Sequence, residues 1–317
     1  MTARPVARSG ELWAITSYFN PIGYRRRLAN YRVFRECLGV PLAAIELSFD
    51  GGFELGAGDA DLLVQVQGRD VMWQKERLLN LLLPQLPTEC RYVAWLDCDI
   101  VFERPDWPGR VSSALAQTPL LQIFRRVHYL SPQAGPNDAM GSAVILTRDS
   151  LGNWMHSGGS VDGALRQATS RGREVPTKGM AWAAPRDLLE RYGFYDACIV
   201  GGGTNVLACA VLDACDYAMR LHYMNDRQRD HYRAWATSFN RAVSGAVSCI
   251  DGDVYHLWHG DLADRRSSER HEQLAPFDFD PTSDIALADS GCWRWASDKP
   301  DMHRYVREYF AARREDG

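Results

Sequence analysis

Two short segments carry residue types and spacings that could do chemistry. The first is Asp97-Cys98-Asp99, which directly follows the apolar run Arg91 to Leu96, RYVAWL. Two carboxylates at i and i+2, at the carboxyl end of a buried strand, lie where open α/β sheets bind ligands. Such hard oxygen donors suit Mg²⁺ or Mn²⁺ with positions left open for diphosphate oxygens. Alone, an Asp-x-Asp is as readily a solvated loop pair; its place after an apolar strand is what raises it. The second segment is Tyr255-His256-Leu257-Trp258-His259-Gly260. Two histidines three residues apart, before a turn glycine, can give one imidazole to a metal and the other to a phosphate. Either histidine by itself is as readily a hydrogen-bonded structural residue.

The elements that must position these groups follow from periodicity. Leu12 to Phe19 reads as a strand, Tyr24 to Leu38 as a helix with apolar residues at helical spacing, and Leu42 to Phe49 as a second strand. That is the opening of an α/β domain with a parallel sheet. Asp70 to Leu83 reads as a helix stopped by Pro84, Trp107 to Gln117 as another, and Leu120 to Phe124 as a strand. Ser131 to Asp138 reads as a loop, and Met140 to Thr147 as an edge strand. Arg186 to Tyr192 and Thr204 to Asp216 are helical, Val247 to Trp258 is a late strand, and Met302 to Arg313 is a closing helix. No internal repeat is visible. The expected organisation is one domain over 1–275, with halves of about 12–125 and 126–275, and a C-terminal extension over 276–317.

Composition sets the bounds. The chain has 317 residues, 36 Lys plus Arg, 40 Asp plus Glu and a formal charge of -4. Hydrophobic residues make up 46%, ordinary for a folded soluble protein, and 10 Trp, 13 Tyr and 11 Phe argue against disorder. No apolar run approaches the ~20 residues that span a bilayer. No transmembrane segment or signal peptide is therefore expected, and the protein is read as cytoplasmic. The eight cysteines stand singly with no CxxC pair, which indicates neither a zinc ribbon nor a thioredoxin site. Only Lys75, Lys178 and Lys299 are lysines. The acidic balance argues against broad nucleic-acid binding, though a local basic groove stays open.

The segments ITSYFNPIGYRRRLANYRVFRE, VMWQKERLLN, YVAWLDCDIVF, GMAWAAPRDLLERYGFYD and DVYHLWHGDLADR, in that order, make the chain resemble nucleotide-sugar-dependent glycosyltransferases of the GT-A fold. The resemblance covers most of residues 12 to 275. It implies an α/β fold with a mostly parallel central sheet flanked by helices. It also implies transfer of a sugar, from a UDP-linked donor, to an acceptor hydroxyl with Mn²⁺ or Mg²⁺. The spacing of His256 and His259 resembles that in polypeptide N-acetylgalactosaminyltransferases, where the first histidine ligates the metal. The resemblance thus assigns Asp97, Asp99 and His256 to the metal, with Asp97 also reaching ribose or a metal-bound water. Thr16, Ser17 and Tyr18 would line the nucleoside, and Asp50 the base or ribose. Trp73 could stack, Lys75 touch diphosphate, and His259 hold phosphate; helix packing and an ion pair to Glu76 are the plainer roles for the helix residues. Asp97 and Asp99 are expected to be free of lysine and arginine partners, so that a cation can enter.

One departure stands out. Many relatives carry an acidic residue after a Gly run before the acceptor-side helix, and inverting members use it as general base; here the run reads Gly201-Gly202-Gly203-Thr204-Asn205. Thr204 cannot act as that base. Asp196 is the replacement the sequence offers, unless transfer is retaining or activity is lost. The acceptor stays open: a glycan, a protein, a metabolite or hydroxymethylated DNA. Two other functions compete, a catalytically impaired carbohydrate-binding protein on the same fold and a sugar-1-phosphate nucleotidyltransferase. The second wants a Gly-rich, Arg-containing loop after the first strand, which TSYFNPIG is not. Arg227, Arg229, Arg233, Arg265 and Arg266 could hold phosphate or form a solvated face, and Trp293 and Trp295 could stack a sugar or anchor the extension.

Overall fold

The structure is a computed structural model and describes residues 10–134, 143–165, 175–267 and 269–317. In chain order its strands are β1 (Leu12–Phe19), β2 (Leu42–Ser48), β3 (Leu62–Gln67), β4 (Tyr92–Leu96), β5 (Ile100–Phe102), β6 (Leu121–Gln122), β7 (Arg126–Leu130), β8 (Val144–Asp149), β9 (Ala181–Pro185), β10 (Ser248–Cys249), β11 (Asp253–His256), β12 (Ile285–Leu287) and β13 (Trp293–Trp295). Its helices are α1 (Arg25–Cys37), α2 (Lys75–Leu82), α3 (Trp107–Leu115), α4 (Leu151–His156), α5 (Val161–Leu165), α6 (Arg186–Tyr192), α7 (Gly203–Val211), α8 (Cys215–Leu221), α9 (Asp226–Val243), α10 (Glu269–Leu274) and α11 (Pro300–Ala312).

The central sheet has the order β10-β6-β9-β4-β1-β2-β3. The pairs β1–β2, β2–β3, β1–β4 and β6–β10 are parallel, and β9 runs against both β4 and β6. The sheet is therefore mostly parallel. Its middle strands are apolar on both faces because both faces are covered, as parallel sheets require. Ile15, Ala43, Ile45, Val93 and Trp95 face one core, with Leu78, Leu79 and Leu82 of α2 and residues of α7 and α9. Ala14, Leu42, Ala44, Ala94 and Leu96 face the other, with Tyr31 and Phe34 of α1 and Trp107 and Val111 of α3. Met302, Val306 and Phe310 of α11 join the first core, so the segment after residue 275 packs onto the same body.

A second, four-stranded sheet, β5-β11-β7-β8, was not foreseen. Its strands are short, and the expected late strand Val247 to Trp258 is two separate strands, one in each sheet. β8 sits at the edge of this sheet, as expected for the segment ending at Thr147, while residues 140–142 at its expected start lie outside the described residues. Of the expected loop from Ser131 to Asp138, only the part up to Ala134 is described. Among the described residues no helix is long and apolar enough to cross a membrane. All eight cysteines are free thiols.

Candidate metal and diphosphate site

The acidic pair and the late histidines meet because of strand pairing. β4 ends at Leu96 and β5 starts at Ile100, so Asp97-Cys98-Asp99 is the turn between the two sheets. β11 pairs antiparallel with β5 in a register that sets His256 opposite Ile100. The Leu257 N–H then donates to the Asp99 carbonyl at 2.8 Å. That register, fixed by backbone bonds between residues far apart in sequence, delivers the imidazole to the carboxylate. Beyond it the chain turns at Gly260, whose φ of +83° and close approach to the Arg313 carbonyl leave no room for a Cβ.

Asp99, His256 and His259 offer ligand atoms that all lie within 4.8 Å of one another. Asp99 Oδ2 is 2.9 Å from His259 Nε2, and Oδ1 is 3.8 Å from His256 Nε2. Asp99 Oδ1 is buried without a hydrogen-bond partner. The guanidinium of Arg265 approaches both rings, its Nη2 lying 2.8 Å from His259 Nε2 and 3.4 Å from His256 Nε2. His259 Nε2 cannot serve both neighbours. Protonated, it donates to Asp99 but faces a second donor in Arg265; unprotonated, it accepts from Arg265 but faces the carboxylate's lone pair. A divalent cation bound by the carboxylate and both imidazoles removes that conflict and uses the orphaned oxygen. The residues present therefore fit a metal with an open coordination position.

Electrostatics agree. Burial pushes the Asp99 carboxyl up, but His259, His256 and Arg265 outweigh it and hold the group well below the usual carboxylate range. Burial pulls the His256 imidazole down to about 3, against the pull of Asp99, so this ring is a neutral donor near neutral pH. Burial also lowers the pKa of Arg265. The cleft in front of the trio has a volume of about 260 Å³. Five cations, Arg27, Lys75, Arg265, Arg270 and Arg313, line it against three carboxylates, Glu76, Asp97 and Asp99. Such a surplus suits a polyanion.

The other expected site residues fall in three groups. Ser17, Trp73, Lys75, Asp97 and His259 line the cleft. Asp97, however, is not free: the Lys75 ammonium ion-pairs with it, which corrects the expectation of an unpaired acidic couple. Lys75 opens α2, and the turn after β4 lies directly in its reach; Asp97, with Glu76 and Asp99, holds the ammonium above its ordinary pKa although burial opposes it. Asp97 thus stands outside the Asp99–His256–His259 trio. Trp73 is wall rather than open platform, since Phe310 stacks on it at 6.2 Å and the Arg313 guanidinium lies 5.3 Å over its ring.

Thr16 and Tyr18 belong to the core instead. The Thr16 hydroxyl donates to the Leu96 carbonyl at 2.8 Å, and the Tyr18 hydroxyl bonds Glu54. Asp50 is exposed at a separate cavity shared with Trp293 and Arg294. Asp196 does not line the cleft; Asn80 donates to it at 3.1 Å and Arg77 lies 3.4 Å away. Arg227, Arg229 and Arg233 on α9 pair with Asp280, Asp226 and Asp216, which leaves Arg265 as the one of this group that reaches the cleft. Trp293 anchors its hairpin through Nε1 to the Asp196 carbonyl. Sequence reasoning missed Arg27, Arg270, Arg313 and Glu76 as cleft residues. Arg27 ends the run Arg25-Arg26-Arg27, Arg313 opens Arg313-Arg314 and Arg270 stands singly, and nothing in these patterns marks the one arginine that reaches the cleft.

No protein-family model and no curated protein sequence matches the chain. Among solved structures, the chain is similar to S. aureus TarS 1-349 in complex with UDP, at 9% identity and a TM-score of 0.37, over 94% of this chain and 70% of that one. It is also similar to the mannosyltransferase PcManGT from Pyrobaculum calidifontis in complex with GDP-Man and Mn²⁺, at 12% identity and a TM-score of 0.42, over 87% and 66%. A third is the 4-diphosphocytidyl-2C-methyl-D-erythritol synthase from Anaerococcus prevotii, at 9% identity and a TM-score of 0.32, over 76% and 86%. The site is accordingly read from its own residues.

Proposed function

We propose that the chain is a metal-dependent glycosyltransferase that moves a sugar from a nucleotide-sugar donor, UDP-linked, to an acceptor hydroxyl. The observation that carries this reading is the Asp99–His256–His259 trio, opening on a cleft with a cationic surplus at the carboxyl end of β4. A sugar diphosphonucleoside has a poor leaving group until its charge is offset. A bound cation supplies that neutralisation. Arg265 and Arg270 are placed to take diphosphate oxygens, since both line the cleft and planar guanidinium forks match phosphate geometry. Lys75 is already committed to Asp97 and contributes its charge through that pair.

Two imidazoles in a three-ligand set favour Mn²⁺ over Mg²⁺, which prefers oxygen. The acceptor is a hydroxyl on a glycan or on hydroxymethylated DNA, and the compartment is the cytoplasm. Thermal unfolding of the full chain with a panel of nucleotide sugars, each with Mn²⁺ and with chelator, tests the reading. The cognate donor should raise Tm only when Mn²⁺ is present, by ligand linkage. A chain that gains no stability from any donor with Mn²⁺ would sink it.

A further inference from the structure

The segment after α11 is built against the cation site, although in sequence it belongs to the extension. Three contacts fix it there. Asp316 accepts from the Arg25 and Arg26 N–H groups, at 3.2 and 2.8 Å, and so takes up two of the free N–H groups that open α1. The Tyr24 hydroxyl donates to the Ala311 carbonyl at 2.8 Å. Gly260, directly after His259, lies so near the segment that a Cβ there would stand 2.8 Å from the Arg313 carbonyl oxygen and 2.9 Å from that of Arg314. The histidine turn and the segment therefore meet backbone to backbone.

That fit delivers Glu315, which is 1% exposed. Arg313 Nε donates to its Oε1 at 2.6 Å, and Arg27 lies 3.4 Å from Oε2, which has no hydrogen bond. Anchoring the segment accounts for those two cations. It does not account for a third neighbour: Oε1 is also 3.8 Å from His259 Nδ1. Among the described residues that ring nitrogen has no other acceptor. Burial pushes the Glu315 carboxyl up, but Arg27, His259 and Arg313 hold it well below its ordinary range. It is an anion that can only accept.

The opposite ring nitrogen, Nε2, is the one turned towards Asp99 and Arg265. A cation on Nε2 leaves the ring's proton on Nδ1, and a buried N–H is costly without an acceptor. We infer that Glu315 is a positioning residue of the cation site: its carboxylate takes the His259 Nδ1–H and holds the ring with Nε2 towards Asp99. The segment after α11 is then part of the site and not an appendage to it. This rests on the cation site of the proposed function and is independent of the donor and the acceptor. At 3.8 Å the contact is electrostatic, longer than a formed hydrogen bond. A cation on Nε2 makes the Nδ1–H a stronger donor and draws the pair together.

The test uses the full chain. Mn²⁺ affinity, measured by calorimetry, should fall ~10-fold or more in Glu315→Ala. Glu315→Gln keeps an acceptor oxygen and should lose less. Arg313→Met removes the closest partner of Glu315 but leaves the carboxylate beside His259, so Mn²⁺ affinity should not fall. Zn²⁺ is diamagnetic and takes the same donor types. NMR of isotope-labelled histidines in the Zn²⁺-loaded chain should therefore show the His259 proton on Nδ1, exchanging slowly with water, and exchanging fast in Glu315→Ala. The spectrum of the unmodified chain decides the matter even where the alanine variant does not fold. A proton on Nε2, or Mn²⁺ affinity unchanged in Glu315→Ala, overturns the assignment. An equal loss in Arg313→Met does so too, since Glu315 would then only anchor the segment. If the unmodified chain binds neither ion, the cation site itself fails and its positioning residue falls with it.

Discussion

The molecule contains two buried histidine pairs, and they behave in opposite ways. His256 and His259 have ring centroids 5.1 Å apart and a carboxylate, Asp99, between their Nε2 atoms. His222 and His271 stack face to face at 3.7 Å with rings 13° apart, and among the described residues no carboxylate pairs with them. Each pair has its own arginine: Arg265 at the first, and Arg270, 3.4 Å from His271 Nε2, at the second. Burial keeps His256 of the first pair, and both rings of the second, from protonating easily. What differs is the acid. Two imidazoles plus one carboxylate form a cation site, whereas two stacked imidazoles with a guanidinium form a packing unit. Histidine spacing alone therefore says little; the third ligand, supplied by the turn between β4 and β5, decides.

The largest effect that could break this contrast is loss of that third ligand. Asp99→Ala should remove Mn²⁺ binding, measured by calorimetry, and lower donor turnover by at least ~10²-fold, while the fold persists because Asp99 lies at the cleft and not in either core. His271→Ala should leave Mn²⁺ affinity unchanged. Undiminished release of nucleoside diphosphate by Asp99→Ala would put the cation elsewhere. Equal loss of Mn²⁺ binding in His271→Ala would erase the distinction between the pairs.

The contrast also marks how far the sequence could be read. The strand before Asp97 and the helices α1, α2 and α6 were legible because their apolar residues repeat at the period of the element. α9 was not: Asp226–Val243 is dense in charge and aromatics, and the composition hid the period. A signal was there, since Asn225 and Gln228 form a capping box. β3 escaped because LLVQVQ is short and two of its six residues are polar. Asp99 and His256 were both named from sequence, but their meeting depends on a pairing of three- and four-residue strands across some 150 positions. No local pattern encodes such a pairing. Glu76 was read as a surface partner of Lys75, since helix position gives no hint that Gly203 would open a space for it.

The second pair should show itself through acid. Burial pulls the His222 imidazole down to about 3, and holds His271 well below its ordinary value. The unfolded chain protonates these rings near 6.5, so between about 6.5 and 3 the unfolded state carries more protons. Their contribution is thus fully present above 6.5 and is lost as pH falls through that window, by up to ~1.4 kcal/mol per pH unit for each ring. Urea unfolding of His222→Phe should show a shallower fall, with about 2 kcal/mol less acid loss between pH 7 and pH 5 than the unmodified chain. The difference should be the same with and without Mn²⁺. An equal fall in both proteins, or a gap that Mn²⁺ closes, would mean the stacked pair is not the acid-sensitive unit.

The smallest effect concerns the two arginines. Arg265 competes with a cation for the lone pairs of His256 and His259, and its Nε is buried without a partner. Arg265→Met keeps the apolar stem and removes the competitor. Mn²⁺ should then bind about tenfold more tightly in the absence of nucleotide, a gain of ~1.4 kcal/mol. Donor affinity should fall in the same variant, because a fork placed for diphosphate oxygens is gone. Arg270 faces the other pair and is tied to the Tyr309 hydroxyl at 2.6 Å. Arg270→Met should weaken donor binding without changing Mn²⁺ affinity. The two variants thus separate cation from diphosphate within one cleft: if both shift Mn²⁺ affinity alike, the guanidiniums act only as diffuse positive charge, and the distinction drawn between the histidine pairs does not extend to their arginines.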